Sequence, residues 1–158
     1  TNISILVNED PFNDLLTIEI EDNGKGIPAE MLQNVKDPYS TTRTTRRVGM
    51  GLPLLNDACW ISGGELEIES IEGAGTKVTA TLGLNHIDRQ PIGDMVGVIV
   101  LLVSANPKIE FQYTHIKGEN TFSFSTEEVK EVLEGLPLNS PEVVKTLREM
   151  IKLNLDEL

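Results

Sequence analysis

The chain has 158 residues, of which 39% are hydrophobic, so it is long enough to bury a core in one or two domains. Its 25 acidic and 13 basic side chains give a formal net charge of −12. Because an acidic surface repels nucleic-acid backbones and anionic membranes, we expect neither nucleic acid nor membrane as a partner. The single cysteine, Cys59, excludes an internal disulfide and a cysteine-based zinc site, which favours a cytoplasmic location.

The two ends of the chain and its apolar runs set further limits. The longest apolar run, 98–103, is far shorter than the roughly 20 residues of a membrane-spanning helix. The chain starts at Thr1, without a methionine, and enters strand-like sequence almost at once. We therefore expect it to be a fragment of a longer protein.

The first half alternates apolar and polar residues in a way that predicts four strands, over 3–7, 15–21, 65–70 and 77–82. The first two are expected to form an antiparallel pair around Pro11. The last two are joined by 72–75, a hairpin with glycines where positive φ is needed.

Helices are predicted over 29–35, with Pro28 in the first turn, and from 49–51 through Trp60, ending at two glycines. Residues 38–48 lack apolar periodicity and are expected to form a loop. Cys59 and Trp60 are expected in the core. The element order predicts one mixed sheet with helices on one face, an α+β two-layer sandwich.

After residue 84 the pattern changes to a connector, 85–91, and a strongly apolar segment, 92–104, whose length favours a buried helix over a strand. A hairpin of two strands follows, over 109–114 and 121–125. Ser125 with Glu128 is expected to form a capping box for a helix that ends at Gly135. Pro141 begins a final amphipathic helix. We therefore predict two units, 1–84 and a small α+β module over 88–158 of unknown role.

Three glycine motifs carry the chemistry. Asp22-Asn23-Gly24-Lys25-Gly26-Ile27 follows a strand, where a carboxylate can accept a hydrogen bond from an exocyclic amine such as adenine N6 and glycines let the backbone approach a flat ring. Gly49-Met50-Gly51-Leu52 opens a helix, whose free N–H groups favour an anion such as phosphate. Gly73-Ala74-Gly75-Thr76 is a turn ending in a hydroxyl. Taken singly, the first two are equally typical of an ordinary turn or helix start, and the third is more often only a turn.

Between the first two motifs, the segment 40–47 holds three of the thirteen cations and no acid. In so acidic a chain, this hydroxyl-rich segment is a candidate lid over phosphates, with Arg43 the better candidate for the terminal phosphate. A solvated loop is the alternative.

In this order and on these elements, the motifs resemble those of the GHKL (Bergerat-fold) ATPase superfamily, which includes histidine kinases, and the segment 37–51 is most similar to the lid of anti-sigma factor serine kinases. The resemblance covers residues 1–84. It implies that Asp22 holds adenine N6, with Thr76 assisting through a shared water. It implies further base, lid and phosphate contacts from Gly24, Gly26, Ile27, Thr42, Arg43, Gly49, Gly51 and Leu52.

The family's N box is a helix before the first strand, with an Asn that helps to hold Mg²⁺ and often a Glu that acts as base. We expect it upstream of Thr1, so this chain itself offers no catalytic residue and no metal ligand, and catalysis would require that helix. His86 and His115 lie too far from other ligands to suggest a metal site. His86 is a candidate phosphoacceptor or contact residue, although a linker position is the simpler interpretation.

The sequence therefore predicts an ATP- or ADP-binding histidine kinase-like ATPase domain of a signalling or regulatory protein. The alternatives are a non-catalytic nucleotide sensor that docks a partner through residues 88–158, and a pure interaction domain. The expected partners are a nucleotide and another protein, with a homodimer among the options.

Overall fold

The computed structural model describes residues 1–32, 50–133 and 135–158. The strands are β1 (Asn2–Asp10), β2 (Leu15–Asp22), β3 (Leu66–Ile71), β4 (Gly75–Gly83), β5 (Glu110–Lys117) and β6 (Asn120–Ser125). The helices are α1 (Ala29–Leu32), α2 (Gly51–Ile61), α3 (Met95–Ala105), α4 (Thr126–Val132) and α5 (Pro141–Asp156). In these ranges, no helix combines the length and apolar character needed to span a membrane.

Several sequence predictions fall on residues that the structure does not describe. They are the continuation of α1 to residue 35, the loop 38–48, the lid residues Thr42 and Arg43, and Gly49. They stay predictions.

The six strands form one mixed sheet in the order β3-β4-β2-β1-β5-β6. The neighbours β3–β4, β4–β2, β2–β1 and β5–β6 are antiparallel, whereas β1 and β5 are parallel. The predicted hairpins and the antiparallel β1–β2 pair are confirmed. The boundary expected between residues 84 and 88 falls in a connection between strands of one sheet, and the division into two units stays a prediction.

One face of the sheet is apolar because every second residue on its strands is hydrophobic. Across the centre, Val7 of β1, Leu16 of β2 and Ala80 of β4 are each at most 1% exposed. Burying an aliphatic side chain of this kind contributes about 1.5–3 kcal/mol. The opposite face carries polar residues such as Glu19 and Lys77, which form an exposed ion pair of 3.1 Å.

The helices cover the apolar face, as the predicted two-layer sandwich requires. α1 contacts β3, and α2 contacts β3 and β4. α3 packs on β5 and α5, and α5 also contacts β6. Residues 92–104 were expected to form a buried helix, and α3 confirms this, with the Asp94 side chain accepting a hydrogen bond from the Gly97 N–H (2.8 Å) at its start.

The start of α4 differs from its prediction. Ser125 occupies the N-cap position but makes no capping hydrogen bond with its side chain, so the predicted capping box with Glu128 is wrong. Instead, the buried Thr126 hydroxyl accepts from the Phe111 N–H (2.9 Å) and donates to Glu110 (2.8 Å). The helix is thus anchored to β5 rather than capped by its own sequence.

Trp60 also departs from its prediction. Cys59 is buried as expected, but the neighbouring Trp60 is 78% exposed. The two residues are consecutive on α2, so they point about 100° apart around the helix axis. In the last turn of the helix, Cys59 is turned toward the sheet and Trp60 toward solvent.

Candidate functional site

At one end of the apolar sheet face, three polar side chains replace the hydrophobic ones. Asp22 of β2 pairs with Thr76 of β4, and Thr76 pairs with Ser70 of β3. The Ser70 and Thr76 hydroxyl oxygens lie 2.9 Å apart, and all three residues are half-buried. We call these three residues the Asp22 row. They lie two positions from Ile20, Val78 and Ile68 on their respective strands, so they extend the core-facing side.

The glycine-containing segment after β2 is held to this row by hydrogen bonds. The Gly24 N–H donates to Asp22 Oδ1 (2.7 Å), and the Ile27 N–H donates to Ser70 Oγ (2.7 Å). The Gly73 N–H donates to the Lys25 carbonyl oxygen (2.8 Å). The segment 23–27 and the β3–β4 hairpin therefore form one continuous rim beside Asp22.

Glycine is required at two positions of this rim because the backbones approach closely. A Cβ on Gly26, where φ is +68°, would lie 2.2 Å from the Ile71 carbonyl oxygen. A Cβ on Gly75, where φ is +132°, would lie 1.9 Å from the Asp22 carbonyl oxygen. Both distances are far inside van der Waals contact, and both φ values disfavour any residue with a side chain. The first and third glycine motifs of the sequence therefore meet in space.

Asp22 keeps hydrogen-bonding capacity that its surroundings do not use. Its Oδ1 accepts the Gly24 N–H, whereas within the described residues its Oδ2 makes no hydrogen bond or ion pair. The neighbouring Asn23 turns the other way, since its Oδ1 accepts the Asn2 N–H (2.7 Å) and extends the β1–β2 pair. An ionised carboxylate accepts hydrogen bonds only, so this site fits a donor such as an exocyclic amine.

The second glycine motif lies at the start of α2. The helix begins at Gly51, preceded by Met50, whose side chain makes no capping hydrogen bond. Pro53, at the third helical position, has no N–H, which leaves the Gly51 and Leu52 N–H groups as donors of the first turn. A Cβ on Gly51 would meet no described atom within 4 Å, so the space beside this glycine is open among the described residues. The arrangement suits an anion.

Two cavities border the Asp22 row. One, of about 290 Å³, is lined by the whole row together with Glu69 and Lys77 of the opposite sheet face. The other, of about 280 Å³, is lined by Asp22 with residues of β1 and β5 such as Ser4 and Gln112. Neither is lined by Gly51 or Leu52, so neither joins the Asp22 row to the start of α2. A hollow that spans both stays a prediction.

Of the site residues predicted from sequence, the structure brings Asp22, Gly24, Gly26, Ile27 and Thr76 together and places Gly51 and Leu52 on α2. Ser70 was missed, although it accepts from Ile27, donates to the Gly75 carbonyl oxygen (2.9 Å) and contacts Thr76. A signal was present, because a serine follows Leu66 and Ile68 in their alternation on β3.

Residues 1–32, 50–133 and 135–158 contain no group of three or more His, Cys, Asp or Glu side chains suited to a metal ion. A nucleotide of this superfamily carries Mg²⁺. The Asp22 carboxylate is an acceptor that fits the amine of a base, and the N–H donors of α2 fit an anion.

A second polar cluster lies at the opposite end of the same sheet face. The buried His115 of β5 bonds through Nδ1 to the Tyr113 hydroxyl (2.8 Å) and through Nε2 to Glu9 of β1 (2.9 Å). We call these residues the Glu9 chain. Burial, and secondarily the negative charge of Glu9, raises the pKa of Tyr113, so its phenol stays protonated. The protonated phenol is therefore a donor facing Nδ1, and Nε2 lies within hydrogen-bonding distance of the Glu9 carboxylate.

Comparison with known proteins identifies the family. Residues 1–86 match the family model of the histidine kinase-, DNA gyrase B- and HSP90-like ATPases. This match covers more than half of the chain, which therefore belongs to that family, as the resemblance to the GHKL superfamily predicted.

Curated relatives agree with this assignment. The chain is 35% identical over 95 residues to the non-motile and phage-resistance protein of Caulobacter vibrioides, covering 57% of this chain and 11% of that protein. It is 37% identical over 84 residues to the sensor histidine kinase WalK of Bacillus subtilis, covering 50% and 13%. It is 34% identical over 76 residues to the sensor histidine kinase ZraS of Escherichia coli O157:H7, covering 48% and 16%. The chain thus spans only a small part of each of these relatives.

Proposed function

We propose that residues 1–86 bind ATP or ADP as the nucleotide-binding part of a signalling or regulatory protein in the cytoplasm. The observation that carries the proposal is the Asp22 row, where a half-buried carboxylate has one oxygen without a partner among the described residues, beside a rim that requires glycine. A carboxylate of this kind is suited to the adenine amino group. Gly24 and Gly26 line the base pocket with their backbone, and the missing side chain of Gly24, whose Cβ would lie 2.6 Å from Asp22 Oδ1, keeps the carboxylate uncovered on that side.

The remaining contacts are assigned in the same proposal. Ile27 lines the base pocket, and Thr76, 2.9 Å from Ser70, helps to hold the base through a shared water. At α2, Gly49, Gly51 and Leu52 meet the phosphates, which the helix dipole and free N–H groups favour. Thr42 and Arg43 belong to a lid of the anti-sigma factor kinase type. Gly49, Thr42 and Arg43 lie outside the described residues.

Catalysis is proposed only for the intact protein. Phosphoryl transfer depends on positioning and on charge neutralisation by a metal ion. The Asn ligand for Mg²⁺ and a base are expected on an upstream N-box helix. With that helix in place, the protein acts as a protein kinase or an ATPase, passing the γ-phosphate to a side chain or to water.

Calorimetric titration of the intact protein with ATP and ADP, with and without Mg²⁺, tests the site. Replacing Asp22 with Asn exchanges one acceptor oxygen for an amide donor, which faces the adenine amine with like polarity. Since a hydrogen bond to a charged group contributes about 1.5–3 kcal/mol, we expect the dissociation constant to rise by about 10- to 150-fold.

Glu67→Gln is the matched control, because Glu67 is an exposed residue of β3 on the opposite sheet face and lines neither cavity beside the Asp22 row. Its dissociation constant should equal that of the unmodified protein. An Asp22→Asn variant that binds as tightly as this control would contradict the adenine assignment, and a protein that binds neither nucleotide would eliminate the nucleotide proposal altogether.

A second candidate function is favoured by one observation in the C-terminal part. There, α4 and α5 border an apolar groove of about 500 Å³. We propose that a protein partner docks through residues 88–158, so that the module reports its nucleotide state rather than transferring phosphate. A second copy of the chain is one possible partner, and sedimentation of the intact protein with and without nucleotide separates it from a different protein.

A further inference from the structure

The surface between α4 and α5 carries a preformed apolar groove. Its floor consists of side chains that α4 and α5 turn toward each other, including Val129, Leu133, Leu147 and Met150. Its volume of about 500 Å³ lies within the roughly 300–1,000 Å³ typical of sites that enclose a compact ligand. The groove is built from two helices that the sheet holds apart, since α4 contacts β5 and β6 while α5 contacts α3 and β6.

Large apolar side chains at the groove remain exposed to solvent. Val132, at the end of α4, is 81% exposed, and Leu136, in the connection to α5, is 57% exposed. Both line the groove. Isolated exposed hydrophobic residues are common on protein surfaces, but several that border one concave apolar surface are typical of an interaction site.

The charge at the groove is negative. The charged side chains among its described lining residues are Glu128 and Glu142, both carboxylates. No described lysine or arginine lines the groove, and Lys130, the cation of α4, pairs with Glu110 outside it. A partner that fills the groove therefore brings its apolar side chains past acidic groups, and this favours basic residues beside its apolar anchors.

We infer that this groove docks an amphipathic helix of a partner protein, with apolar anchors at helical spacing and lysine or arginine on either side of them. A groove between two helices, with an apolar floor and charged borders, matches the geometry in which a third helix lays its apolar face. The inference deepens the proposed partner-docking function. It does not depend on nucleotide binding.

Fluorescence anisotropy with the intact protein tests it, using a labelled synthetic peptide with leucine at helical i, i+3, i+4 and i+7 spacing and lysine elsewhere. Its counterpart has glutamate in place of every lysine. We expect the lysine peptide to bind at least about tenfold more tightly than the glutamate peptide, because only its charges complement Glu128 and Glu142. Equal affinity for the two peptides would overturn the inference.

A matched pair of charge-reversal variants distinguishes binding at the groove from general attraction to a protein of net charge −12. In Glu128→Lys/Glu142→Lys the peptide preference should fall or invert. In Glu67→Lys/Glu69→Lys, which changes the net charge equally at two exposed β3 residues, the preference should be retained. If both double variants lower affinity alike, binding is not directed by the groove and the inference fails.

The apolar contribution has its own control. Val132→Asp should weaken binding of the lysine peptide by at least about tenfold, as expected for an anchor contact. Leu101→Asp, at a 66% exposed residue of α3, should leave binding unchanged. A loss of affinity in both variants, or in neither, would contradict docking at α4 and α5.

Asp22→Asn keeps this test independent of the nucleotide site. The variant should bind the lysine peptide as the unmodified protein does, whatever its nucleotide affinity. Peptide binding that disappears with Asp22→Asn would show that the peptide occupies the nucleotide site and would overturn the inference. Loss of nucleotide binding alone would leave the inference intact.

Discussion

The two ends of the apolar sheet face each carry a polar cluster, and the two clusters differ in burial and in hydrogen bonding. In the Glu9 chain, Tyr113 and His115 are buried, and each ring nitrogen of His115 has a partner. In the Asp22 row, the residues are half-buried, and Asp22 Oδ2 has no partner within the described residues. Both clusters continue the apolar alternation of their strands, so their different surroundings, not their position in the pattern, set them apart.

This difference separates a polar cluster that stabilises the fold from one that is available to a ligand. A buried donor or acceptor without a partner costs about 1–3 kcal/mol, so a satisfied chain is destabilised when one member is removed. A half-buried carboxylate that water can reach carries a smaller cost when it is empty. Variants of the Glu9 chain should therefore change stability, whereas variants of the Asp22 row should change binding.

The largest expected effect comes from a substitution that distorts the backbone beside the Asp22 row. Gly75→Ala places a Cβ 1.9 Å from the Asp22 carbonyl oxygen at a φ of +132°. Strain at φ and steric overlap together should lower the free energy of unfolding by about 2–5 kcal/mol, measured by urea denaturation.

Gly73→Ala is the control for the clash, since it also has positive φ (+81°) but its Cβ would meet nothing within 4 Å. It should cost only the conformational penalty of about 1–2 kcal/mol. If the two variants lose the same free energy of unfolding, the close approach of the Gly75 and Asp22 backbones does not matter for holding the hairpin against β2.

A smaller effect tests whether the Glu9 chain contributes to stability and the Asp22 row to binding. Tyr113→Phe removes the hydroxyl that bonds to His115 Nδ1 and leaves that nitrogen buried without its partner. We expect a loss of about 1–3 kcal/mol in urea denaturation with no change in nucleotide affinity. Asp22→Asn should show the reverse, because the amide oxygen still accepts the Gly24 N–H. If the two variants change stability and nucleotide affinity in the same proportion, the distinction between a stabilising cluster and a ligand-binding cluster is wrong.

The smallest effect is a dependence on alkaline pH. The pKa of Tyr113 is raised in the folded state, so its stabilising contribution is complete below the ordinary value of 10.0 and is lost as the pH rises above it toward the folded pKa. The stability advantage of the unmodified protein over Tyr113→Phe should therefore shrink by about 1 kcal/mol between pH 9 and 11. A difference that stays constant over this range would show that Tyr113 is not shielded from water. The other tyrosine, Tyr39, cancels in the comparison.

Local patterns were sufficient to predict most of the helices and strands. They also singled out Asp22 and Thr76 of the Asp22 row, but nothing of the Glu9 chain. Alternation predicted the strands, and the family resemblance, not a local spacing, implied that Asp22 and Thr76 act together. Glycine positions were predicted correctly because positive φ has a local cause at Gly73 and Gly75. The family motifs extended this to Gly26, whose need for glycine is set by the distant Ile71.

What the sequence did not predict depends on contacts between distant residues. The parallel pairing of β1 with β5 joins segments about a hundred residues apart and has no local signal. The Glu9 chain follows from that pairing, since it brings His115 beside Glu9. The exposure of Trp60 depends on which side of α2 meets the sheet, and at α4 a tertiary bond from Thr126 replaced the expected local cap.

The position of β1 has a practical consequence. It is hydrogen-bonded along its length to β2 on one side and to β5 on the other. Cutting the chain within 85–91 would remove β5 and convert β1 into an edge strand with a row of unsatisfied amide and carbonyl groups. Such an edge recruits strands from other molecules, so the shortened piece should self-associate unless a charged or covering segment replaces β5.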